Sequence, residues 1–107
     1  MMRATKDRII EVLRNELPYL KREFGIKKIA LFGSFAKGLQ TPQSDIDIYI
    51  EVDESLDLDE RLNLSGYLRN VFGRKIDVVL HYRLANSSGN SRLSRIAKSI
   101  KETLIYA

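Results

Sequence analysis

The 107-residue sequence has no cysteine, so disulfides and thiolate zinc sites are excluded, and a reducing compartment is permitted without being required. No apolar run approaches the ~18 residues needed to span a bilayer, and no signal-peptide pattern precedes the first helical segment. The chain therefore reads as a soluble, cytoplasmic protein with no membrane partner. Only two prolines and six glycines interrupt a composition that is 44% hydrophobic and 30% charged, which leaves no sign of disorder. At this length, residues 1–107 are expected to form one domain around one modest core.

The net charge of +4 is unevenly placed. Glu51, Asp53, Glu54, Asp57, Asp59 and Glu60 fall within ten residues, whereas from Arg61 onward nine basic residues face only Asp77 and Glu102. A basic C-terminal part suits either a solvated helix face or an anionic partner.

Helical spacing of Ile9, Ile10, Val12, Leu13 and Leu17 predicts a helix from about Thr5 to Asn15. Pro18 then either opens a second segment, Leu17 to Phe24, or kinks a continuation, with Gly25 as the C-terminal cap. Lys27 to Phe32 reads as a first strand, Asp45 to Val52 as a second and Lys75 to Leu80 as a third. The acids at 57–60 suit a helix N-terminus better than a calcium loop, which would need a glycine at its sixth position. That helix is expected to run to about Phe72, with Leu58, Leu62, Leu68, Val71 and Phe72 on its buried side and Gly73 ending it. His81 reads as a partly exposed strand-end residue. Residues 86–91 carry turn chemistry. A last helix, Arg92 to Tyr106, would bury Leu93, Ile96, Ala97, Ile100 and Leu104 and show a stripe of Arg92, Arg95, Lys98 and Lys101.

The organising stretch is Ile29 to Ile50, IALFGSFAKGLQTPQSDIDIYI. In its second strand the two-residue period puts Asp45 and Asp47 on one face, roughly 7 Å apart, and Ile46, Ile48 and Ile50 on the other. Asp is disfavoured in strands, and buried carboxylates need a cation or a metal. Asp77 sits in a third strand, and neighbouring strands can bring the three acids together. Hard oxygen donors without His or Cys select Mg²⁺ or Mn²⁺, and two such ions can serve in-line displacement at phosphorus. Asp45 and Asp47 would bridge the metals and Asp77 would complete the site beside the attacking hydroxyl. Gly33-Ser34 permits a tight turn whose N–H groups, with the Ser34 hydroxyl and Lys37, suit the phosphates. Gly33 and Gly38 match the frame of a P-loop, but Leu39-Gln40 follow where Lys and Ser or Thr are required, so that assignment fails.

The order strand, Gly33-Ser34, ten residues, Asp45-x-Asp47, then a strand bearing Asp77 resembles the nucleotidyltransferase superfamily that includes DNA polymerase β. The leading helix before LFGSFAKG and the ending ETLIYA narrow the resemblance to the minimal nucleotidyltransferases, the MNT antitoxins encoded beside HEPN-domain toxins. It spans nearly the whole chain and is most specific from Phe32 to Ile48. It implies an α/β (α+β) fold with a small mixed sheet flanked by helices, like the polymerase β palm. It also implies two Mg²⁺ ions, ATP as substrate, and transfer of AMP to a tyrosine of a HEPN toxin partner. Residue by residue, Asp45, Asp47 and Asp77 match the catalytic and metal-binding acids, and Gly33 and Ser34 the phosphate-binding turn. Lys37 falls where an Arg is common, keeping the charge without the bidentate fork.

Two rival readings remain at this level. One is an antitoxin that masks its partner by contact alone. The other is nucleotidyl transfer to RNA or a small hydroxyl compound, for which this length leaves little room for an acceptor domain. Direct nucleic-acid binding is the less favoured use of the basic region, and it would weaken steeply with salt.

Overall fold

The computed structural model describes residues 4–84 and 91–107. Along the chain the elements are α1 (Lys6–Phe24), β1 (Ile26–Phe32), α2 (Ser34–Lys37), β2 (Ile46–Val52), α3 (Leu58–Phe72), β3 (Ile76–Leu80), α4 (His81–Leu84), α5 (Ser91–Thr103) and β4 (Ile105–Tyr106). The turn expected over 86–91 lies outside the described residues except for Ser91, which begins α5. Among the described residues no helix is long and apolar enough to cross a membrane.

Helix α1 starts where the Thr5 hydroxyl accepts the Arg8 N–H at 3.3 Å and stops at Gly25, whose left-handed φ of 65° lets its N–H reach the Lys21 carbonyl. Pro18 does not divide it. The ring lies on the exposed side of one continuous helix, where solvent can serve the carbonyl that loses its bond.

The four strands form one mixed sheet in the order β3-β2-β1-β4. β1 runs antiparallel to β2 and to β4, while β2 and β3 are parallel, as a crossover through α3 demands. Alternation along β2 sends Ile46, Ile48 and Ile50, all 0% exposed, toward α1 and α3, where they meet Ile9, Leu13, Leu20, Leu64 and Leu68. Each such side chain contributes roughly 1.5–3 kcal/mol on burial. On the opposite face Phe32, Val79 and Ile100 form a smaller cluster edged by Tyr49, Ile96 and Leu104, so α5 covers part of the face that bears the acids.

The acidic segment does start a helix. The Asp57 carboxylate accepts the Glu60 N–H at 2.8 Å and Glu60 accepts the Asp57 N–H at 3.1 Å, a reciprocal capping box. Two expectations fail on α3. Leu58 and Leu62 are 60% and 62% exposed, and the buried row is Leu64, Leu68 and Phe72. At about 100° per residue, Leu62 points some 200° away from Leu64, so both cannot face the sheet. The last helix is also shorter than expected. It ends at Thr103, and Ile105 and Tyr106 pair with Leu31 and Ala30 as β4, with the Ala107 N–H on the Ile29 carbonyl at 3.0 Å. A β-branched and an aromatic residue beside an open strand edge gain more from the ladder than from another helical turn. Ile100 is buried and Leu93, Ile96, Ala97 and Leu104 are half-buried, while Arg92, Arg95, Lys98 and Lys101 are exposed, as their spacing indicates.

Candidate active site

The site lies where β1 ends. Pairing of β1 with β2 runs out at Phe32 opposite Asp47, and Gly33 then turns the chain with φ 78° and ψ −150°. A side chain is excluded there twice over. The positive φ disfavours any L-residue, and a Cβ would stand 2.2 Å from Asp47 Oδ2. The glycine thus lets backbone approach the acid. Its N–H donates to the buried Thr103 hydroxyl at 2.9 Å.

Ser34 opens the four-residue helix α2 and is half-buried. The buried ring of Phe35 and methyl of Ala36 anchor that turn in the core, and Gly38, at φ 73°, ends it. The Leu39 N–H returns to the Ser34 carbonyl at 2.9 Å. Lys37, in the last turn, is exposed. The return path is pinned by Arg74, whose guanidinium lies 5.3 Å from the Phe35 ring centroid and donates to the Ser44 carbonyl at 3.2 Å.

Ser44 leads into Asp45, and β2 begins at the next residue. Asp47 and Asp77 are direct cross-strand partners in the parallel β2–β3 register. Burial first, and then the Asp77 and Asp45 charges, push the Asp47 carboxyl from 3.8 up to about 6. Asp45 Oδ2 lies 3.9 Å from Lys75 Nζ, a pair exposed enough to orient the side chains rather than hold the fold. Lys75 also lines an open basic cleft with Arg69, Asn70, Gly73 and Arg74.

The three predicted acids and the Gly33-Ser34 turn therefore fall at one end of the sheet, and Lys37 lies on the rim of that turn. Among the described residues, however, no three acid, histidine or cysteine side chains converge closely enough to form a ready metal-binding group. The donor chemistry still fits a hard divalent cation. The donors are all oxygen, and burial together with the neighbouring Asp77 and Asp45 charges disfavours the ionised Asp47 carboxylate, a cost such a cation would offset. His81 takes no part: its Nδ1 accepts the Val52 N–H at 3.2 Å.

Sequence reasoning missed Thr103 and Arg74. Thr103 lies 70 residues from the glycine it holds, and nothing local marks it. Arg74 entered only as one positive charge among nine.

Comparison with known proteins gives the family. The family model described as Polymerase beta, Nucleotidyltransferase matches residues 15–103. A Methanocaldococcus jannaschii chain with the provisional name protein adenylyltransferase is 40% identical over 104 residues, covering 95% of this chain and 97% of that one. The protein adenylyltransferase MntA of Thermococcus cleftensis is 28% identical over 106 residues, 99% of each chain. Among solved structures, a chain of a toxin–antitoxin crystal structure with AMP-PNP superposes with a TM-score of 0.63 at 25% identity, over 96% of this chain and 72% of that one. The chain belongs to the polymerase β nucleotidyltransferase family.

Proposed function

We propose that this chain, as a single nucleotidyltransferase domain, transfers AMP from ATP to a tyrosine hydroxyl of a HEPN-domain toxin and acts as that toxin's antitoxin. The observation that carries the reading is the row Gly33, Asp47, Asp77, in which a turn without a side chain lies against one acid and the next strand supplies another in register. The adenylyltransferase names of the relatives and the AMP-PNP of the structural neighbour point to the same donor.

In this reading the Gly33-Ser34 turn receives the triphosphate, with the Ser34 hydroxyl in reach and Lys37 at the rim. Asp45, Asp47 and Asp77 would hold Mg²⁺, two ions in the family pattern, with Mn²⁺ as a substitute of like chemistry. Such a cation would supply neutralisation of charge on the phosphates and on the departing pyrophosphate. The acceptor oxygen bonds to the α-phosphorus, the bond to the bridging oxygen of the β-phosphate breaks, and pyrophosphate leaves. The turn lies at β1, and β3 borders the sheet on the far side of β2. In-line attack opposite the leaving group therefore brings the acceptor in past Asp77, whose carboxylate can take its proton.

The test is incubation with labelled ATP, Mg²⁺ and the co-encoded partner, read by intact mass. Each unit transferred adds about 329 Da, the mass of an AMP group, as nucleotidyl transfer at a two-metal site requires. Asp45→Ala/Asp47→Ala is expected to abolish labelling. If the partner stays unmodified and both proteins inhibit it equally, the chain works by contact alone.

A further inference from the structure

We infer that Thr103 is a positioning residue for the nucleotide: its hydroxyl sets the Gly33-Ser34 turn and thereby the place of the phosphates relative to Asp47. The inference rests on the nucleotidyltransferase reading above and goes beyond it, because the Thr103 hydroxyl acts through the Gly33 N–H it accepts.

Among the described residues Thr103 is the buried polar side chain, 9% exposed in a core otherwise apolar. Its single hydroxyl proton goes to the Ser99 carbonyl at 2.6 Å, one turn back along α5, which leaves its lone pairs for the Gly33 N–H at 2.9 Å. The direction of both bonds is thus fixed. Gly33 needs this partner because ladder pairing to β2 ends at Phe32 and pairing to β4 ends at Leu31. On its other side the glycine has no slack, since a Cβ there would meet Asp47 Oδ2 at 2.2 Å. The turn is therefore held between the Thr103 hydroxyl and the Asp47 carboxylate. One residue after Thr103, β4 pairs with Leu31 and Ala30 of the same strand, and the Ala107 N–H beyond it reaches the Ile29 carbonyl. Loss of the hydroxyl frees the Gly33 peptide plane to rotate, and the next peptide, which carries Ser34, moves with it.

Thr103→Val keeps the shape and removes the acceptor, and Thr103→Ser keeps the acceptor and removes the methyl. Magnesium-loaded AMP-PNP is titrated onto wild type and both variants, KM and kcat for ATP are measured, and exchange of the Gly33 amide is followed by NMR. The valine variant is expected to bind about tenfold more weakly and to raise KM by a similar factor with kcat changed less than about threefold, the pattern of lost ground-state binding. Its Gly33 amide should exchange faster, and the serine variant should recover affinity to within about twofold of wild type. If the valine variant melts before measurement, Thr103→Ala carries the comparison. A folded valine or alanine variant with wild-type affinity overturns the inference while leaving the enzyme reading intact. Failure of the wild-type protein itself to bind AMP-PNP overturns both, and the two failures are told apart by that one titration.

Discussion

Replacing Asp47 by Asn should make the metal-free protein more stable while removing its activity. The carboxyl is pushed from 3.8 up to about 6, mainly by burial and then by Asp77 and Asp45. At neutral pH it is nonetheless ionised. About two units at 1.36 kcal/mol each give a ceiling near ~3 kcal/mol, and solvent reaching a half-buried group reduces this to about 1–2 kcal/mol. The sign follows from linkage. A carboxyl with a raised folded pKa destabilises the fold fully above about pH 6, and the penalty fades as pH falls toward the unfolded value. Asn keeps the volume and drops the charge. Thermal melts in chelator at pH 7.5 should place Asp47→Asn above wild type, by roughly 4–8 °C per kcal/mol for a domain of this size. The gap should close near pH 4. Adding Mg²⁺ should raise the wild-type midpoint and leave the variant nearly unmoved, since only a ligand that binds the folded state stabilises it. A variant less stable than wild type in chelator at pH 7.5 would show Asp47 holding the fold rather than straining it.

The same titration predicts that Mg²⁺ affinity falls as pH drops through about 6, where Asp47 of the metal-free protein takes up its proton, and Mg²⁺ titrations across roughly pH 5–8 check this. Gly33→Ala should cost about 1–3 kcal/mol from its backbone conformation alone, displace the Asp47 carboxylate, and abolish transfer in a protein that still melts cooperatively. Asp57→Ala, which breaks the capping box at the start of α3, should lower stability by about 1 kcal/mol in urea and leave AMP-PNP affinity unchanged. Leu64→Ala, fully buried beneath the sheet, should cost about 2–5 kcal/mol in the same assay.

The first three strands were legible because each carries a run or alternation that only a strand uses well, and Gly25 and Gly73 marked helix ends by their position. Asp47 was placed in its strand for the same reason, whereas Asp45, expected in that strand too, falls just before β2 begins at Ile46. What brings Asp77 to Asp47 is not local. A parallel pairing across α3 sets that register, and no residue in either strand announces it. The Leu58 and Leu62 error has a related origin: a helix with leucines around much of its circumference leaves the choice of face to the sheet it packs on. β4 escaped notice because two residues are too short to show a period, and their partner is the edge of β1. The clasp by Thr103 needed the fold itself.

The in-register β2–β3 pair has a consequence for how activity is gained and lost. Its acids are 30 positions apart, the turn that faces them lies earlier in the chain, and the hydroxyl that holds the turn comes much later. No contiguous fragment short of most of the chain contains the site. Loop closure must therefore be complete before any catalytic geometry exists, and a nascent or frayed molecule has none of it rather than a weakened version. Turnover should thus follow the fraction of fully folded molecules, rising late in refolding and vanishing with the main unfolding transition, so that chemistry reports on the integrity of the whole sheet.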